Sequence, residues 1–78
     1  MPTITRIGPF RFFFYSSDGN EPPHVHVERD EKIAKIWIRP VRLAYSVGFN
    51  RKEISKIIGI VEEWKTEILE AWNEYFSS

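Results

Sequence analysis

His24-Val25-His26-Val27-Glu28-Arg29-Asp30-Glu31-Lys32-Ile33-Ala34-Lys35-Ile36-Trp37-Ile38 is two alternating runs joined by a polar pair. Alternation of period two is the mark of a strand with one buried face. A two-residue loop at Asp30-Glu31 pairs Arg29 with Lys32, and a four-residue loop pairs Glu28 with Ile33. Both loops give one register, in which Val27 meets Ala34, Val25 meets Ile36, His26 meets Lys35 and His24 meets Trp37. Val25, Val27, Ala34 and Ile36 then share an apolar face. His24, His26, Glu28, Lys35 and Trp37 share the other, joined by Ile33. A slip of one residue would mix the two sets, so the pattern itself selects the register.

The flanking chain extends this hairpin. Phe10 to Tyr15 is an aromatic strand, with Phe10, Phe12 and Phe14 on one face and Arg11, Phe13 and Tyr15 on the other. The all-Phe face is the better core candidate. Ile4 to Ile7 is a candidate edge strand, cut off by Gly8-Pro9. Ser16 to Pro23 concentrates turn residues and reads as the long loop of a hairpin. After Pro40, Val41 to Ala44 is a candidate short strand with Val41 and Leu43 inward, followed by a turn over Tyr45 to Gly48. Asn50 as N-cap, Glu53 three residues on, and Phe49 with Ile54 at staple positions announce a helix. Its stripe runs Ile54, Ile57, Ile58, Val61, Trp64, Ile68, Ala71, Trp72 and Tyr75, with glutamates opposite. An unbroken helix over 51–76 would be ~39 Å long at 1.5 Å per residue. Such a length implies an overhang, a bend or a partner.

The sequence predicts an α+β fold: an antiparallel sheet of three to four strands with one long C-terminal helix packed on one face. The expected layout is a single domain over 1–78, with sheet 4–44 and helix 51–76. Seventy-eight residues can bury only about 60% of the unfolded surface, so the core must be dense. An aromatic fraction of 15% suits that demand. The chain has no cysteine, which removes disulfides and thiolate metal sites. No apolar run reaches the ~20 residues of a membrane span, and the first residues lack the plan of a signal peptide. A cytoplasmic protein that does not engage membranes is expected.

The net charge is zero but unevenly spread. Residues 1–52 carry nine basic and five acidic residues, a balance of +4, and residues 53–78 carry two and six, a balance of −4. A basic front half suits an anionic partner, unless the halves simply neutralise each other.

His24 and His26 at i and i+2 project from one strand face, which suits a general acid and base near neutral pH. The same spacing suits two ligands of one metal ion, with Glu28 as a third. Against a metal stand the lack of any further histidine or cysteine and the Lys35 cation opposite His26. No metal and no cofactor is therefore assigned. The ordinary alternative is a pair of histidines that brace loop carbonyls. Arg11 and Lys35 could hold an anionic group, while Tyr15 and Trp37 could stack on bases. Trp64 and Trp72 belong to the helical stripe. The chain has no glycine-rich phosphate loop and no nucleophile elbow.

Read in order, several blocks form a family pattern: Ile7 to Tyr15, Glu21-Pro22-Pro23-His24-Val25-His26-Val27-Glu28-Arg29, Ala34 to Trp37, Pro40 to Ala44, and Glu70 to Phe76. They closely resemble the small prokaryotic proteins of the domain-of-unknown-function family numbered 4160. The resemblance covers nearly the whole chain, and the Glu-Pro-Pro-His-x-His-Val block is specific to that family. The family's usual Asp-Gly turn is Asp30-Glu31 here. The resemblance implies a second small protein encoded nearby, in a pairing that looks like a toxin–antitoxin module. It brings no established activity and no catalytic assignment.

Two functions follow as expectations. In the first, the chain is a component of a toxin–antitoxin-like module. It binds or acts on RNA or DNA, with His24 and His26 as catalytic candidates and Arg11, Tyr15, Lys35 and Trp37 as ligand-binding candidates. That reading requires the histidines to be exposed beside a basic groove. In the second, the chain is a non-catalytic interaction module that pairs with a second small protein, or with another copy of itself, through its helix and sheet edge. Whether it is an enzyme stays open.

Overall fold

The computed structural model describes residues 3–76. Five strands form one antiparallel meander: β1 (Thr3–Ile7), β2 (Phe10–Phe13), β3 (His24–Arg29), β4 (Lys32–Ile38) and β5 (Val41–Val47), in the spatial order β1-β2-β3-β4-β5. Two helices follow, α1 (Arg51–Glu63) and α2 (Lys65–Phe76). The fold is α+β, with five strands in place of three to four, because both outlying segments pair with the sheet.

The central hairpin has the expected register: His24 opposite Trp37, Val25 opposite Ile36, His26 opposite Lys35, Val27 opposite Ala34. Arg29 pairs with Lys32, so the loop is the two-residue one. Asp30 supplies the left-handed turn residue, with φ 55°, a conformation that Asp tolerates better than most side chains.

β5 is longer than the four residues expected and runs through Tyr45 to Val47. Its pairing with β4 shifts between Lys35 and Ile36, so one extra residue bulges out and alternation fails as a guide there. Leu43, expected inward, is 40% exposed on this edge strand. β2 ends at Phe13, because the chain turns away to start a 3-10 helix over Ser16–Asn20.

The helix is not continuous. It breaks at Trp64, whose ψ of 13° departs from helical geometry. The bend keeps the Trp64 N–H to Ile60 C=O bond at 2.9 Å and the Ile68 N–H to Trp64 C=O bond at 2.9 Å. The domain is 36 Å in its longest dimension, shorter than a straight helix over 51–76. Bending lets Ile57 and Val61 of α1 and Ile68 and Trp72 of α2 enter one cluster. That cluster also holds Phe10, Phe12, Phe14, Val25, Val27, Ala34, Ile36 and Ile38. The all-Phe face and the Val-rich face of the hairpin are thus the core.

The start of α1 carries the expected capping box. Glu53 N–H donates to Asn50 Oδ1 at 2.8 Å, and Asn50 N–H donates to Glu53 Oε1 at 3.3 Å. Glu53 also receives Lys32 Nζ at 3.2 Å and lies 3.6 Å from Arg29, tying the helix start to the hairpin tip.

Candidate functional site

On the opposite face from Val25 and Val27, the Ser16–Asn20 turn folds down over the two histidines. Tyr15 N–H donates to Asp18 Oδ2 at 2.8 Å, and Asp18 N–H donates to Tyr15 C=O at 3.0 Å. Those two bonds hold the Asp18 carboxylate inward, where it is 9% exposed. The turn in turn lies against α2, with Gly19 beneath the Phe76 ring.

Asp18 reaches both histidines. Its Oδ2 lies 3.0 Å from His26 Nε2 in a hydrogen bond. Its Oδ1 lies 3.2 Å from His24 Nε2, but without the alignment of a hydrogen bond. The other nitrogen of His24, Nδ1, donates to the Pro22 carbonyl at 2.9 Å. The His24 ring packs edge-on to Trp37 at 5.4 Å and against Trp72 at 5.2 Å. His26 stacks on Phe13 at 5.5 Å and meets Tyr15 at 4.6 Å.

His24 is fully buried and His26 is 8% exposed, which corrects the expectation that they stand free on an open face. Burial lowers the affinity of His26 for a proton and outweighs the opposing pull of the Asp18 charge.

The other candidates are largely engaged. Arg11 pairs with Glu28 and covers the Phe13 ring at 4.5 Å. Glu28 is therefore committed to Arg11, and Asp18 takes the place beside the histidines that Glu28 was expected to fill. Lys35 Nζ lies 2.6 Å from Glu21 Oε1 and 4.6 Å from the Trp37 ring centroid. That hydrogen bond from Lys35 is the first cause that holds the Glu21 carboxyl below its usual range. Tyr15 is 44% exposed.

Trp37 lines a pocket of about 200 Å³ with Pro22, Pro23, Arg39 and Arg42. Neither arginine was singled out from the sequence, and neither was Asp18. The only signal for Asp18 was an acidic residue in the turn cluster that precedes the histidine strand. Asp18, His24 and His26 each offer one ligand atom, all within 4.8 Å of one another.

Among the described residues, no helix is long and apolar enough to cross a membrane. No curated protein and no solved structure matches the chain. A family model described as a domain of unknown function (DUF4160) matches residues 10–73, which span β2 to most of α2 and include the whole His–Asp cluster. This chain belongs to the domain-of-unknown-function family DUF4160.

Proposed function

We propose that the chain is a non-catalytic interaction module that receives a second small protein along β5. The observation that carries this reading is the edge itself. β5 is the last strand of the sheet, seven residues long and free of proline. An outer strand of that length leaves backbone groups that another strand can pair with, and natural proteins usually blunt such edges. Here the edge bears Leu43, Tyr45 and Val47, which are 40%, 47% and 58% exposed, and Ile33 lies opposite Val47 on β4. The bulge on β5, where Ala44 is the extra residue between the partners of Lys35 and Ile36, disfavours plain edge-to-edge pairing with any passing strand.

The test is co-expression with the second small protein whose nearby gene the family resemblance implies. A stable complex in light scattering is expected, with new hydrogen-exchange protection at 41–47. Tyr45→Lys and Val47→Lys should each weaken the complex at least tenfold and leave the fold intact. A complex that ignores both substitutions sinks the reading.

The second reading, a nucleic-acid-binding component of a toxin–antitoxin-like module, draws on the pocket beside Trp37. An indole flanked by Arg39 and Arg42 suits a stacked base with its phosphate. Burial of His24 disfavours acid–base chemistry on such a ligand, because the imidazole does not reach solvent.

A further inference from the structure

The Asp18–His24–His26 cluster contains a contradiction that hydrogen bonding alone does not resolve. His24 Nδ1 faces the Pro22 carbonyl at 2.9 Å, and a carbonyl only accepts, so Nδ1 carries the proton. In the neutral ring Nε2 then presents a lone pair. It presents it to Asp18 Oδ1, another acceptor, at 3.2 Å. A proton on Nε2 would not mend the contact, because the geometry is not that of a hydrogen bond. Among the described residues Nε2 has no hydrogen-bond partner, and His24 is 0% exposed, so water does not supply one from bulk. An orphaned buried nitrogen of this kind destabilises a fold unless something meets it.

We propose that a divalent transition-metal cation of the zinc type meets it, held by His24 Nε2, His26 Nε2 and the Asp18 carboxylate. Two imidazoles and one carboxylate are a common three-ligand set for such an ion, with solvent as the fourth. For metal–ligand bonds near 2.0–2.1 Å, neighbouring tetrahedral ligands stand about 3.3 Å apart. The unbonded 3.2 Å contact between His24 Nε2 and Asp18 Oδ1 has that spacing. One ligand atom from each of the three residues lies within 4.8 Å of the others, so a shared ion would draw the longer of these separations in towards about 3.3 Å.

The surroundings support the assignment. A ligating histidine nearly always donates its other N–H to a carbonyl or carboxylate, as His24 does to Pro22. The Lys35 cation, which the sequence sets opposite His26, is neutralised by Glu21 at 2.6 Å and rests on the Trp37 face. Asp18 and His26 each keep 10% of their side chains exposed, which leaves a path for the ion and its water. The cation fastens the Ser16–Asn20 turn to β3. This inference is independent of the β5 interface.

The test uses tag-free protein, stripped with EDTA and titrated with Zn²⁺ by calorimetry, and with Co²⁺ as a visible-absorption probe. One ion per chain is expected, with a higher melting temperature. Asp18→Asn, checked for folding by circular dichroism, should bind at least tenfold more weakly. Should that variant fail to fold, imidazole nitrogen resonances of the parent decide: Zn²⁺ should shift Nε2 of both histidines. Absence of Zn²⁺ and Co²⁺ binding, full affinity in folded Asp18→Asn, or binding that leaves both Nε2 signals unmoved overturns the proposal.

Discussion

Gly19 lies directly beneath Phe76: a Cβ at position 19 would stand 2.8 Å from Phe76 Cδ1. The contact joins the turn that carries Asp18 to the last turn of α2. Two segments more than fifty residues apart in the chain therefore set the position of one carboxylate. Gly19→Ala should destabilise the fold by about 1–3 kcal/mol through overpacking. Phe76→Ala opens the space, so the same change should be milder in that background. A double-mutant cycle in urea checks this, and additive effects would count against the contact.

Ile36 is fully buried at the centre of the cluster shared by sheet and helices. Ile36→Ala should lower stability by about 2–5 kcal/mol. Val47→Lys, on the exposed edge, should stay within about 0.5 kcal/mol of the parent. The pair separates folding from the edge role proposed for β5. A large loss from Val47→Lys would show that β5 contributes to the fold itself.

The capping box at Asn50 predicts a loss of about 0.5–2 kcal/mol in Asn50→Ala, measured by thermal or urea unfolding. No loss would mean that backbone and solvent satisfy the end of α1 without it.

Glu53 makes stability depend on pH in one direction. The Asn50 backbone N–H, then Lys32, hold its carboxyl below the ordinary value of 4.5. The unfolded chain thus binds this proton more readily than the fold. The contribution is fully present above about pH 4.5 and is lost as pH falls through the lower folded value. The stability gap between the parent and Glu53→Gln should be flat near neutrality and close in acid. A gap that widens with acid would reverse the sign and refute the assignment.

Occupancy of the Trp37 pocket should quench or shift indole emission. Single-stranded RNA oligonucleotides titrated at low salt are expected to do so in the parent and at least fivefold more weakly in Arg39→Glu and Arg42→Glu. Equal response in all three chains would remove the nucleic-acid reading.

The hairpin at residues 24–38 was legible because its information is local. Each residue faces one way or the other, and only one register buries all of Val25, Val27, Ala34 and Ile36. The capping box at Asn50 was legible for the same reason, since its partners are three residues apart. β5 looks short in the sequence because a bulge breaks the alternation that marks a strand. The helix bend at Trp64 left no proline or cap as a signal, and follows from the packing of Ile68 and Trp72.

Sequence alone therefore determined the α+β class, the pairing of His26 with Lys35, and the side of the sheet on which both histidines lie. Tertiary structure decided what those histidines touch. Asp18 comes from a turn whose place depends on Tyr15, Phe76 and the end of α2, and no periodicity along the chain encodes such a contact. Burial of His24 has the same origin, because a strand pattern assigns a face and only the packing of other segments covers it.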